Sequence, residues 1–188
     1  MKTGLIVILV LVLVVGGFFL SLMGKRNDLV TQREGINGAW AQVDVALQRR
    51  ADLIPNLVET VKGFAKQEQS VIDSVTKARA ALGGAATPQE KIQANQQLDS
   101  ALGRLLLVVE NYPNIKSNEQ FLNLQRELAG TENRIAQERR KYNEAVQRYN
   151  TSIELFPTNI AASLFGFARN DAYFKTDPAA RTTPAVKF

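Results

Sequence analysis

The chain contains neither histidine nor cysteine. Without imidazole it lacks the usual general base, and without either residue it lacks the commonest metal ligands and the thiol nucleophile. Helix-bundle enzymes with a carboxylate-bridged di-metal centre use Glu-x-x-His pairs, so that arrangement is excluded as well. The absence of cysteine also rules out disulfides and a lipidated-cysteine anchor. No EF-hand-like acidic run is present, and Gly83-Gly84 is not followed by the Gly-Lys-Ser/Thr context of a phosphate loop. Ser70, Ser74 and Ser100 share the chain with lysines, but nothing marks a nucleophile turn for a Ser–Lys dyad. The sequence therefore points to no catalytic, cofactor-binding or metal-binding residue, and the expectation is a protein that is not an enzyme.

Charge is absent between Lys2 and Lys25. The run GLIVILVLVLVVGGFFLSLM, from Gly4 to Met23, has Ser21 as its one polar side chain. Twenty helical residues rise about 30 Å, the thickness of a bilayer's hydrocarbon core, and inside lipid every backbone polar group needs an internal partner. A cleaved signal peptide has a shorter apolar region and a small-residue cleavage site, and Ser-Leu-Met-Gly-Lys-Arg is a poor one. The reading is an uncleaved signal-anchor at residues 1–26. Lys25, Arg26 and Arg33 outweigh Lys2 and the α-amino group by one charge, which points by the positive-inside rule to a cytoplasmic soluble region. Gly17, Ser21 and Gly24 offer small side chains for close packing of two spans, or simply tolerance in a lipid-facing helix.

Proline is scarce, and with glycine it gathers at a few points that punctuate long amphipathic stretches. The first stretch, about Asn27 to Arg50, carries the seam Ile36, Trp40, Val43 and Leu47. Asp52 can cap a second stretch, with Pro55 in its first turn and Ile54, Leu57, Val58, Val61, Phe64, Ile72 and Val75 inward as far as about Leu82. The same spacing runs unbroken through Leu47, Ile54 and Val61. A single helix kinked at Pro55 thus stands as the alternative to the favoured hairpin. Thr87-Pro88-Gln89-Glu90 reads as a box-like cap for a third stretch, with Ile92, Leu98, Leu102, Leu105, Leu106 and Val109 inward. Ser117 or Asn118 can cap a fourth, from Glu119 to Leu155, with Phe121, Leu124, Leu128, Ile135, Tyr142, Val146, Tyr149 and Ile153 inward. Pro157 ends it. Strand-like alternation does not compete. The expected fold is all-α, an N-terminal transmembrane helix followed by an antiparallel up-down four-helix bundle with coiled-coil-like seams. The bundle occupies residues 27–157. The aromatic stretch 158–174 should dock on something, and 175–188 should be disordered.

These strings resemble the LemA family. The resemblance rests on Trp40, Val43 and Leu47, on Arg50-x-Asp52-Leu53-Ile54-Pro55-Asn56-Leu57-Val58, and on Val61-Lys62-Gly63-Phe64-Ala65 with Glu68. It continues through Ala78-Arg79-Ala80 and Glu110-Asn111-Tyr112-Pro113-Asn114-Ile115-Lys116, then Phe121 and Leu124. It ends with Glu132-Asn133-Arg134-Ile135-Ala136, Arg140-x-Tyr142-Asn143, Tyr149-Asn150 and Phe156-Pro157. It covers about residues 1 to 174, with Gln67 a minor departure. It implies a membrane anchor and a long-helix bundle. It implies no catalytic residues, because the family's biochemical role is poorly defined.

Arg50, Asn56, Glu68, Arg79, Glu110, Glu132, Asn133, Arg139 and Asn143 lie on or beside the seams. A carboxylate at position 68 is costly unless paired, and an arginine from a neighbouring helix is the expected partner. Such pairs fix register, or line a polar pocket between helices. Arg134, Lys141 and Arg148 form a basic stripe that Glu132, Glu138 and Glu144 neutralise as a solvated face. Lysine and arginine exceed aspartate and glutamate by 23 to 18, and this dispersed surplus gives no nucleic-acid patch. The favoured function is a single-pass membrane scaffold or interaction module that self-associates. Trp40, Phe64 and Tyr149 would maintain it, with the bilayer and further copies as partners. The alternative is a sensor or regulator of a membrane protease or transporter, working through a polar pocket that includes Glu68 and Arg79.

Overall fold

A computed structural model describes residues 2–65 and 67–174. The expected disordered tail, 175–188, lies outside the described residues. The order of elements is α1 (Lys2–Phe64), α2 (Gln69–Gly84), α3 (Pro88–Val109), α4 (Pro113–Lys116), α5 (Glu119–Glu154) and α6 (Thr158–Phe165), with no strand among the described residues. The all-α expectation holds. The expected division into helices does not, because the first stretch and the start of the second are one helix.

The hairpin at Asp52–Pro55 is therefore corrected: α1 runs through Pro55 and breaks only after Phe64. A proline in a helix leaves the carbonyl four residues earlier without its N–H donor. Here that carbonyl belongs to Ala51, and Arg79 Nε of α2 donates to it at 2.8 Å. Asp52 caps nothing; it accepts from Gln48 Nε2 at 2.8 Å within the helix. The unbroken seam is used in full, with Val43, Leu47, Ile54, Leu57 and Val61 all buried. Phe64, expected in the core, is 44% exposed at the helix end, and Ala65 is buried instead.

The chain forms two compact units. One comprises Trp40–Arg140 with 172–174. Within it α2 and α3 pack on each other across the link at 85–87, with Ile72, Val75 and Leu82 of α2 and Ile92, Leu98, Leu102 and Leu105 of α3 buried. Leu106, expected inward, is 38% exposed. The expected cap forms in full. Thr87 Oγ1 accepts from the Glu90 N–H, and the Glu90 carboxylate accepts from the N–H groups of Ala86 and Thr87. Those backbone donors hold the Glu90 carboxyl below its ordinary value. Asn118, rather than Ser117, caps α5, its Oδ1 accepting from the Phe121 N–H at 3.0 Å. Phe174 stacks on Trp40 with ring centroids 6.0 Å apart, and the Arg139 guanidinium lies 4.6 Å from its ring centre.

The other unit comprises 2–39 and Lys141–Asp171. The large apolar side chains between Leu5 and Leu20 are all at least 50% exposed, and by length and composition this part of α1 can cross a membrane. Leu22, Leu29 and Ile36 are buried, as are Tyr142, Val146 and Tyr149 of α5 and Ala161 and Ala162 of α6. Gly166, at φ 72°, takes the left-handed conformation that ends α6, and the Phe167 N–H bonds back to the Ala162 carbonyl at 2.9 Å. The following strap lies along α5. Tyr149 Oη donates to the Ala168 carbonyl at 2.9 Å, and Asn150 exchanges two bonds with the Asn170 backbone, at 2.7 and 2.9 Å. Burial lifts the Tyr149 phenol above its ordinary value, while the Arg33 charge pulls it back. The guanidinium of Arg26 sits 5.7 Å from the Phe165 ring centre and that of Arg33 5.4 Å from Phe167. The aromatic extension, expected to dock on something, lies against α1 and α5 of its own chain within this unit.

Two measurements check these assignments. In a double-mutant cycle, Arg79→Met should destabilise the protein, and should do so by about 1 kcal/mol less in a Pro55→Ala background, where the helix supplies its own donor to Ala51. Additive effects would refute the pairing. The second concerns the cap of α3. Because the folded-state carboxyl of Glu90 is lowered from 4.5, its contribution is complete above that value and is lost as pH falls through the folded-state value. The stability advantage over Glu90→Gln should accordingly shrink in acid denaturation series below about pH 4.5.

Candidate functional site

The densest buried polar arrangement in the 40–140 unit centres on Arg50 of α1, whose side chain is 8% exposed. Its Nη1 lies 2.5 Å from Asp99 Oδ1 of α3 and 2.9 Å from Glu132 Oε2 of α5. It also donates to Asn95 Oδ1 of α3 at 3.3 Å, and Asn95 Nδ2 donates to Asp99 Oδ2 at 3.1 Å. One nitrogen thus serves two carboxylates and an amide. The carboxylate oxygens are at ion-pair distance but not aligned for hydrogen bonds, and Arg50 Nε has no hydrogen-bond partner. Coulomb attraction therefore holds the cluster more than directed bonding does.

Arg50 reaches the core because position 50 follows Val43, Ala46 and Leu47 on the buried face of α1. Asn95 falls between Ile92 and Leu98 on the buried face of α3. Asp99 and Glu132 approach from the rim, with side chains 35% and 47% exposed. The arrangement ties α1, α3 and α5 together. Among the described residues no group of three or more acids could hold a metal ion.

The residues expected to form a polar pocket are not brought together. Glu68 accepts from Tyr112 Oη at 3.1 Å, not from an arginine, and this bond raises the tyrosine above its ordinary value. Arg79 is spent on the Ala51 carbonyl. It lines a cavity of about 120 Å³ with Asp44, Leu47, Gln48, Ala51 and Lys91, where Lys91 and Asp44 form an ion pair. Small-ligand pockets usually start near 300 Å³, so this space suits a few waters. Asn56, Glu110 and Asn133 are exposed.

Among the described residues, four buried polar residues were not anticipated. Asn95 is 1% exposed, Glu138 1%, Asn150 3% and Thr131 6%, the last lying four residues before Ile135. Glu138, read as part of a solvated face, is paired with Arg134 Nε at 3.0 Å, and it is the arginine that meets water. A usable signal existed in each case: Asn95 lies three residues from Ile92, Glu138 three from Ile135, and Asn150 four from Val146.

Arg50→Met leaves Asp99 and Glu132 without their cation. Removing one member of a buried pair costs roughly 3–5 kcal/mol, and the partial exposure of both acids brings the expectation to about 2–3 kcal/mol. Asp99→Asn, which keeps the shape and leaves Glu132 in place, should cost about 1 kcal/mol. Denaturation followed by Trp40 fluorescence would show both; an unchanged midpoint for Arg50→Met would remove the cluster from the account of this unit.

The model of the LemA family matches residues 39–188. Two magnetosome proteins of Paramagnetospirillum magneticum, MamQ 1 and MamQ 2, are each 30% identical over 91% of this chain and 72% of their own length. Protein LemA of Metamycoplasma hominis is 26% identical over 82% of this chain and 71% of its own. None of these names denotes an enzyme. With four-fifths of its length matched by the family model, the chain belongs to the LemA family.

Proposed function

We propose that this protein is a single-pass, membrane-anchored helical module that works by contact, self-associating at the bilayer, and performs no catalysis. The observation that carries the reading is α1. The apolar run and the charged helix that follows are one element with no linker between them, and the large apolar side chains from Leu5 to Leu20 are 50–73% exposed. Lipid is the solvent that suits such a surface. The soluble region forms an up-down bundle on the cytoplasmic side, the side favoured by Lys25, Arg26 and Arg33.

Anchoring supplies the physical basis for self-association. Copies confined to a membrane meet at a high effective concentration, so contacts too weak to hold in solution can add up. Gly17 and Gly24 lie open on the span, with nothing near the position of an added Cβ, and allow two such helices to approach closely. The relatives named as magnetosome proteins and the relative that carries only the family name share the helical region, which fits a module used in more than one setting.

Chemical crosslinking of the full chain in intact membranes, after an alkaline carbonate wash, tests both parts. The protein should stay with the membrane and give bands of two or more copies. Release into the wash would refute the anchor, and a strictly monomeric pattern would refute self-association.

A further inference from the structure

The corner between α5 and α6 carries large apolar side chains that are exposed. Leu155 is 58% exposed, Phe156 78%, Ile160 38% and Leu164 61%. The face that α6 turns inward is made of small residues, Ala161 and Ala162, exposed 0% and 4%. A helix meeting water does the reverse, hiding its large apolar groups and exposing small or polar ones. Four large apolar residues grouped at one corner call for an apolar neighbour.

The depth of that corner can be read within the 2–39 and 141–171 unit alone. Arg26, three residues past the end of the apolar run, sits over the ring of Phe165 at the end of α6. Leu22 lies one turn nearer the N-terminus on the same face of α1. It is 5% exposed, whereas its neighbour Leu20 is 73% exposed. A helix does not cover its own side chain to that degree, so a second segment reaches the last turn of the apolar run. Antiparallel geometry agrees. The Arg33 charge is felt at Tyr149. Going from Arg33 back to Arg26 along α1 covers about 10 Å, and the same seven residues from Tyr149 lead to Phe156, just past the end of α5 at Glu154. The ion pairs of Arg169 with Glu154 at 2.5 Å and with Asp171 at 2.8 Å mark the watery side of the same corner.

We infer that this corner is a second membrane contact, with Leu155, Phe156, Ile160 and Leu164 seated at the boundary between headgroups and acyl chains beside the span. The inference rests on the proposal that the apolar run crosses the bilayer. Lipid is favoured over a second copy because the exposed face lies level with the end of that run. The bilayer is then already beside it, whereas a second copy would have to be recruited.

The native chain has no cysteine, so single-cysteine variants of the full-length protein report one site each. Four positions labelled with an environment-sensitive fluorophore suffice: Phe156→Cys, Leu164→Cys, Val10→Cys and Gln147→Cys. The proteins are placed in phosphatidylcholine vesicles containing lipids with a doxyl quencher near the headgroup or at mid-chain. Val10 should be quenched best from mid-chain. Phe156 and Leu164 should be quenched best by the near-headgroup quencher, several-fold more than Gln147, which sits nine residues before Phe156 on α5. If Val10 is quenched while Phe156 and Leu164 behave like Gln147, the corner does not touch lipid and the inference falls while the anchor stands. If Val10 itself is not quenched, the anchor falls and takes the inference with it. Disulfide formation between copies of Phe156→Cys without lipid quenching would assign the face to a second copy and overturn the proposal.

Discussion

The carbonyl of Ala51 is the point on which α1 depends. Pro55 cannot donate to it, and a buried carbonyl without a donor costs on the order of 1–3 kcal/mol, enough to favour a break. The Arg79 guanidinium removes that cost by donating from α2. Several features of the 40–140 unit follow. The seam from Val43 to Val61 stays on one helix, α1 ends only at Phe64, and α2 must lie where Arg79 reaches the Ala51 carbonyl. With α1 ended at Phe64, Glu68 stands at the N-cap of α2 rather than inside a helix, where Tyr112 can meet it.

Charge inside the same unit obeys one rule. The ionised groups that penetrate the core do so on the buried faces of helices, and each is met by an opposite charge that stays nearer water. Arg50 is nearly covered while Asp99 and Glu132 remain at the rim. Glu138 is nearly covered while the long side chain of Arg134 carries its charge outward, 59% exposed. A half-solvated partner lowers the desolvation cost that a fully buried pair would carry. The Arg50 contacts join α1, α3 and α5, whereas the Glu138–Arg134 pair lies within α5.

The sequence was most legible where the determinants are local. Thr87, Pro88 and Glu90 specify a cap within four residues, and Asn118 does the same for α5. The 3–4 spacing located most of the buried faces, from Ile36 on α1 to Tyr149 on α5. Legibility failed where the deciding partner is distant in the chain. Pro55 reads as a helix start unless the donor 28 residues from Ala51 is known. Glu68 sits in the register of Val61 and Phe64, and this suggested a buried carboxylate needing an arginine. The helix ends before it, and a phenol from 44 residues away serves instead. Glu138 was read by charge, as one of several acids beside a basic stripe, when its spacing from Ile135 and Tyr142 was the stronger signal. Of the polar cluster, Arg50 and Glu132 stood out as seam residues. Asn95 and Asp99 did not, because an amide and an acid among the many polar residues of α3 look like solvent-facing ones.

The basic surplus takes on a specific meaning in the chain's last described segment. Arg26, Arg33 and Arg139 lie over the rings of Phe165, Phe167 and Phe174. Such contacts contribute about 0.5–1 kcal/mol each at exposed sites, comparable to a surface ion pair but without consuming an acidic partner. Part of the positive excess is therefore matched by aromatic faces, and the dispersed cations need no anionic ligand to explain them. The same arrangement explains why residues 159–174 are rich in aromatics although few of them are fully buried. Rings held against cations keep a polar environment on one side, while Tyr149 and Asn150 satisfy the strap's backbone from the other. A segment secured in this way needs little apolar area of its own inside the protein. Leu155, Phe156, Ile160 and Leu164 are thus left free to face outward.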